Sequence, residues 1–100
     1  MSATVTAPVV VNFEQEIVKM ATSTKKLLAN SRDHTLIQTE LMTTAPGYIA
    51  RLACGVHEVV VLVRKGNDLW SPELERAVRA EVATHRSPNA APVRLKVVRV

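Results

Sequence analysis

The most apolar continuous run in the chain lies in GVHEVVVLVRKG, residues 55–66, which ends at the turn sequence KGND. β-branched residues dominate it, and that composition marks a strand. Successive side chains on a strand point to opposite faces. Val56, Val60 and Leu62 therefore share one face with Glu58, while Val59, Val61 and Val63 share the other with His57. Both faces are apolar, yet one layer of helices in a chain of 100 residues can cover only one of them.

The remaining pattern predicts where those helices fall. VVVNF at 9–13 reads as a strand that begins after Pro8. Asn12 predicts an N-cap with Gln15 as its capping-box partner. From there Phe13, Ile17, Met20, Ala21, Leu27 and Leu28 recur at helical spacing up to Asn30 and Ser31. Glu14 and Glu16 fall in the first turn and Lys25 and Lys26 in the last, as the helix dipole favours. The interior ATSTKK weakens this helix, because Ser and Thr compete for backbone hydrogen bonds.

HTLIQTELMTT at 34–44 alternates and predicts a second strand, with Ile37, Thr39 and Leu41 opposite Leu36, Gln38, Glu40 and Met42. APGYIARLACG at 45–55 fits either a short helix opened by Pro46 and closed by Gly55 or an extended arm of a hairpin. SPELERAVRAEVATHRSP at 71–88 carries the strongest helix signal. Ser71 caps it, Pro72 takes the first helical position, and Leu74, Ala77, Val78 and Val82 form one stripe. Glu75–Arg79 and Glu81–His85 are spaced as i,i+4 pairs, His85 suits the helix C-terminus, and Pro88 ends the pattern. PVRLKVVRV closes as a strand.

This order, β-α-β-β-α-β, predicts an α+β, ferredoxin-like sandwich, a four-stranded antiparallel sheet with two helices on one face. Residues 1–8 are expected to be a flexible N-terminal segment and 9–100 a single domain. In that topology the strands at 9–13 and 56–63 are central, and both lack the apolar–polar alternation of a sheet with one wet face. The sheet face away from the helices is then expected to need cover, assigned to Val9, Val11, Val59, Val61 and Val63. Covering ~400 Å2 would be worth roughly 10 kcal/mol before association costs are subtracted. A second copy or a protein partner would supply that cover; alternatively residues 44–55 fold back over the sheet.

Charge adds a direction. The net charge is +4, and Arg86, Arg94, Lys96 and Arg99 account for all of it, because no acid follows Glu81. A basic end can favour nucleic acid or an acidic partner, with Arg94, Lys96 and Arg99 as the contact residues. The plainer reading is a solvated basic edge strand that resists aggregation. The aromatics are few, namely Phe13, Tyr48 and Trp70, so a base-stacking surface on the central strands is not expected. A lone cysteine, Cys54, excludes a disulfide within the chain and leans towards a reducing compartment. No signal peptide or membrane-spanning run is evident. The expected setting is cytoplasmic, with a virion or organelle interior equally compatible.

Candidate chemistry is sparse. Cys54 has Arg51 three residues before it and His57 three residues after, which could favour a thiolate; a structural cysteine is the plainer reading. A small-molecule or enzymatic pocket near Cys54, His57 and Trp70 is the alternative to a purely interacting module. His57 and Glu58 are adjacent on a strand and point apart, so they form no acid–base pair. His34, His57 and His85 lack metal-ligand spacing, and Gly47, Gly55 and Gly66 fit no phosphate-loop fingerprint. No catalytic residue, metal or cofactor is expected.

The stretch ELERAVRAEVATHRSPNAAPVRLKVV, about a quarter of the chain, resembles the helix–strand end of the small C-terminal domain in adenylate-forming acyl-CoA ligases, and is similar to the corresponding region of CutA-type trimeric proteins. It contains no functional motif, and the catalytic lysine segment of the ligases would fall beyond it, so the resemblance implies no site residues. The expected function is a non-enzymatic module that oligomerises or docks on a larger assembly through its sheet face.

Overall fold

Ile37, Leu41, Ala45 and Ile49 are all buried, each four residues from the last. That spacing is a helical stripe, and these residues belong to one long helix. The computed structural model describes residues 7–20, 34–87 and 89–100. Among these residues the elements are β1 (Val9–Asn12), α1 (Phe13–Met20), α2 (His34–Leu52), β2 (Glu58–Val63), α3 (Pro72–Ala83) and β3 (Arg94–Arg99). The strand expected at 34–44 is thus the first half of α2, and 45–52 is its second half rather than a hairpin arm.

That one exchange overturns the ferredoxin-like expectation. With a helix before β2 and another after it, β2 and β3 are each reached by a crossover. The three strands are all parallel in the order β1-β2-β3, not four antiparallel ones. Right-handed crossovers that step in one direction across a sheet lay their helices on the same face. Burial agrees: in β2 Val59, Val61 and Val63 are fully buried, while Glu58, Val60 and Leu62 between them are partly exposed. The described residues form two layers, one of helices and one of sheet.

The core lies between those layers. It unites Val11 of β1, Phe13 and Met20 of α1, the α2 stripe, the inward valines of β2, and Leu74, Val78 and Val82 of α3. Burying each Val or Leu is worth about 1.5–3 kcal/mol relative to water. Trp70, in the loop between β2 and α3, seals one end of the core. Its ring meets Phe13 edge-on at 5.0 Å between centroids, and its Nε1 donates to Glu75 Oε1 at 3.0 Å.

The helix ends follow local chemistry. Gln15 N donates to Asn12 Oδ1 at 3.4 Å, so Asn12 caps α1 as expected. The expected continuation of that helix beyond Met20 lies outside the described residues, as do residues 1–6 of the N-terminal segment. Ser71 caps α3 by accepting from Leu74 N at 3.1 Å, and Gln38 Nε2 of α2 donates to the same oxygen at 2.9 Å. Gly55 and Gly66 adopt positive φ of 81° and 88°, at the exit of α2 and in the Arg64–Asn67 turn after β2. A side chain would strain the backbone at either place.

Candidate interaction surface

Among the described residues no element covers the other sheet face. Partners in a parallel ladder point the same way, so the register fixes what that face presents. Val10 of β1, Val60 of β2 and Lys96 of β3 form one row, and Asn12, Leu62 and Val98 form the next. Glu58 stands beside Arg94 at the amino end. Val10 keeps 60% of its surface open to water, and Val60, Leu62 and Val98 are partly exposed. None of these four joins the core cluster. Parallel sheets ordinarily have both faces covered, and their strands then read as continuous apolar runs. The sequence of β2 is of that kind, but among the described residues only one of its faces has a layer on it.

The five residues expected to line the exposed face take the opposite side. Val11, Val59, Val61 and Val63 are buried beneath the helices, and Val9 packs at the margin of the same core. Residues 44–55 do not cover the open face either, since Ala45, Ile49, Ala50 and Ala53 pack into the core. The apolar surface therefore comes from the alternate positions, Val10, Val60, Leu62 and Val98.

The expected basic trio is likewise divided. Arg94 and Lys96 lie on the open face, but Val97 and Arg99 share the inward parity. Arg99 bends over the carboxyl end of the sheet, where Nη1 donates to Asn67 O at 3.2 Å and Nη2 to Trp70 O at 3.3 Å. It holds the β2–α3 loop in place.

Cys54, His57 and Trp70 are not assembled into a pocket. Cys54 is exposed in the turn after α2, and His57 immediately precedes β2. Trp70 follows β2, so the full strand, ~20 Å at about 3.3 Å per residue, separates it from the other two.

The carboxyl ends of parallel strands are the usual ligand edge, with the crevice where strand order reverses. The order β1-β2-β3 has no reversal. A shallow depression of about 440 Å3 does lie there, lined by Glu14, Arg64, Lys65, Gly66 and Asn67. Arg64 Nη1 is already 3.8 Å from Glu14 Oε2. A second polar cluster joins α1 to α2: Tyr48 Oη donates to Glu16 Oε1 at 3.3 Å, and Lys19 Nζ sits 3.1 Å from Glu16 Oε2. Burial, then the Glu16 carboxylate, pushes the Tyr48 phenol up; the bond to Glu16 raises Lys19. The phenol donates in this tie between the two helices. The Arg99 clasp and this tie were not foreseen, because neither leaves a spacing signal in the sequence.

Among the described residues no three His, Cys, Asp or Glu side chains gather as a metal site, and no helix is long and apolar enough to cross a membrane. No protein-family model, curated protein or solved structure matches the chain, so the partial likeness of residues 73–98 to other families carries no argument here.

Proposed function

We propose that this chain is a docking module, one that oligomerises or attaches to a larger protein assembly through the uncovered face of its sheet. The observation that supports the reading is the pair of adjacent rows, Val10–Val60 and Leu62–Val98, apolar across the strands of a parallel sheet, with Val10 exposed, the other three partly exposed, and no element over them among the described residues. Monomers seldom leave a contiguous apolar patch of more than a few hundred Å2 in water. The substitution of charge at the middle of the patch, Val60→Lys with Leu62→Lys, points outward and leaves the core valines in place.

The test is the native mass of the chain isolated under mild conditions from cells that make it. The wild type is expected to travel as a particle heavier than its own 11.0 kDa, and the doubly substituted chain to fall to that mass. If both stay at the single-chain mass at every concentration, the docking reading is overturned.

A further inference from the structure

The width of the open face limits what can sit on it. Strands lie about 4.8 Å apart, so the axes of β1 and β3 are separated by ~10 Å. One α-helix with its side chains is about 10–12 Å across. Six residues of strand extend ~20 Å, the length of about 13 helical residues. The face is the footprint of a single helix of three to four turns, the element that ordinarily covers a parallel sheet.

Charge narrows the occupant further. Glu58 is the only carboxylate among the outward positions of the three strands, and Arg94 is its register neighbour. Lys96 stands in the row of Val10 and Val60, which contains no acid. A second copy of this face would bring two more cations with one more carboxylate. Stacking the two would trap an excess of positive charge, and like charges brought together at an interface are costly. A helix with acidic residues along one flank of its apolar stripe would instead lay that stripe over Val60 and Leu62 and meet Lys96 and Arg94 with its carboxylates.

From this match of size and charge we propose that the open sheet face receives one amphipathic, acid-flanked helix of a partner protein. The proposal rests on the docking reading above and adds the identity of the occupant.

Two synthetic peptides of about 14 residues test it. Both carry the same leucine stripe, one with Glu and the other with Lys on the flanks, and each is labelled and titrated with the full chain. The Glu peptide is expected to bind, with affinity that falls as salt rises. Lys96→Glu and Leu62→Lys should each weaken it about tenfold or more, and the Lys peptide should not bind. Should charge reversal disturb folding, Arg94→Gln with Lys96→Gln is the milder substitute. Equal binding of the two peptides, or no loss in the double Gln variant, overturns the acid-flanked occupant. If neither peptide binds but the chain self-associates in a way that Leu62→Lys abolishes, the occupant is a second copy and only this inference fails. If there is neither peptide binding nor self-association, this inference fails, and a native mass in cells equal to that of the single chain would overturn the docking reading as well.

Discussion

Trp70 donates its indole hydrogen to Glu75 Oε1 at 3.0 Å, tying the loop that leaves β2 to the first turn of α3. The second carboxylate oxygen takes Arg79 Nε at 3.2 Å one turn along the helix. The indole bond, with the added pull of Arg79 and against the opposing effect of burial, holds the Glu75 carboxyl below its ordinary range. One carboxylate thereby links the aromatic seal of the core to the helix surface.

A depressed pKa in the folded state means that ionised Glu75 stabilises the fold above the unfolded carboxylate range, and that this contribution is lost as pH falls through the folded value. Glu75→Gln is expected to cost about 1 kcal/mol near neutrality. The gap between wild type and variant should start to close as pH falls below the ordinary carboxylate range and vanish once pH has passed through the lowered folded value. Denaturant midpoints measured across that range check it; a gap that stays constant with pH would refute the linkage.

The long helix α2 yields two opposite outcomes on one element. Leu41 is buried in the core, and Leu41→Ala should cost about 2–5 kcal/mol. Gly47 is exposed within the same helix, with no atom within 4 Å of where a Cβ would stand. Gly47→Ala is expected to stabilise by about 0.5–1 kcal/mol. Thermal or denaturant unfolding of both variants decides it, and a destabilising Gly47→Ala would argue that this segment is not helical.

That helix is also where sequence and structure part. Ile37, Thr39 and Leu41 look like one face of a strand, but Thr39 is exposed between two buried residues, so the working period is four and not two. Four threonines, Pro46 and Gly47 within His34–Leu52 hide the helix, since all are poor helix formers. Packing of Ala45, Ile49 and Ala50 against the core outweighs that local preference. The helix α3 was legible because Ser71 and Pro72 announce its start in chemistry that needs no tertiary context. The two-sided apolarity of β2 was legible as well. Which of its faces the helices cover was not, because valine occurs on both and alternation gives no sign. At the C-terminus Val98 interrupts the alternation, and this hid the fact that Arg99 points inward, away from Arg94 and Lys96.

The inward and outward cations should therefore respond differently. Arg99→Ala removes two donors to the Asn67 and Trp70 carbonyls and is expected to cost about 1–2 kcal/mol. Lys96→Ala, on the open face, should stay within about 0.5 kcal/mol of wild type. Chemical denaturation followed by the fluorescence of Trp70, the single tryptophan, reports both. Equal costs would contradict the placement of Arg99.

The cap of α3 joins two helices as well as starting one. Ser71 Oγ accepts from Leu74 N and, at 2.9 Å, from Gln38 Nε2 of α2. Ser71→Ala is expected to cost about 1–2 kcal/mol, from the loss of the cap and the stranding of the Gln38 amide. Gln38→Ala alone leaves the cap intact and should cost less, about 0.5–1 kcal/mol. If the oxygen is shared, the double variant will be less destabilised than the sum of the two, because removing Ser71 already removes what Gln38 contributes. A double-mutant cycle by denaturant unfolding measures that difference. Strict additivity would mean that α2 and α3 are held together by their apolar contacts alone.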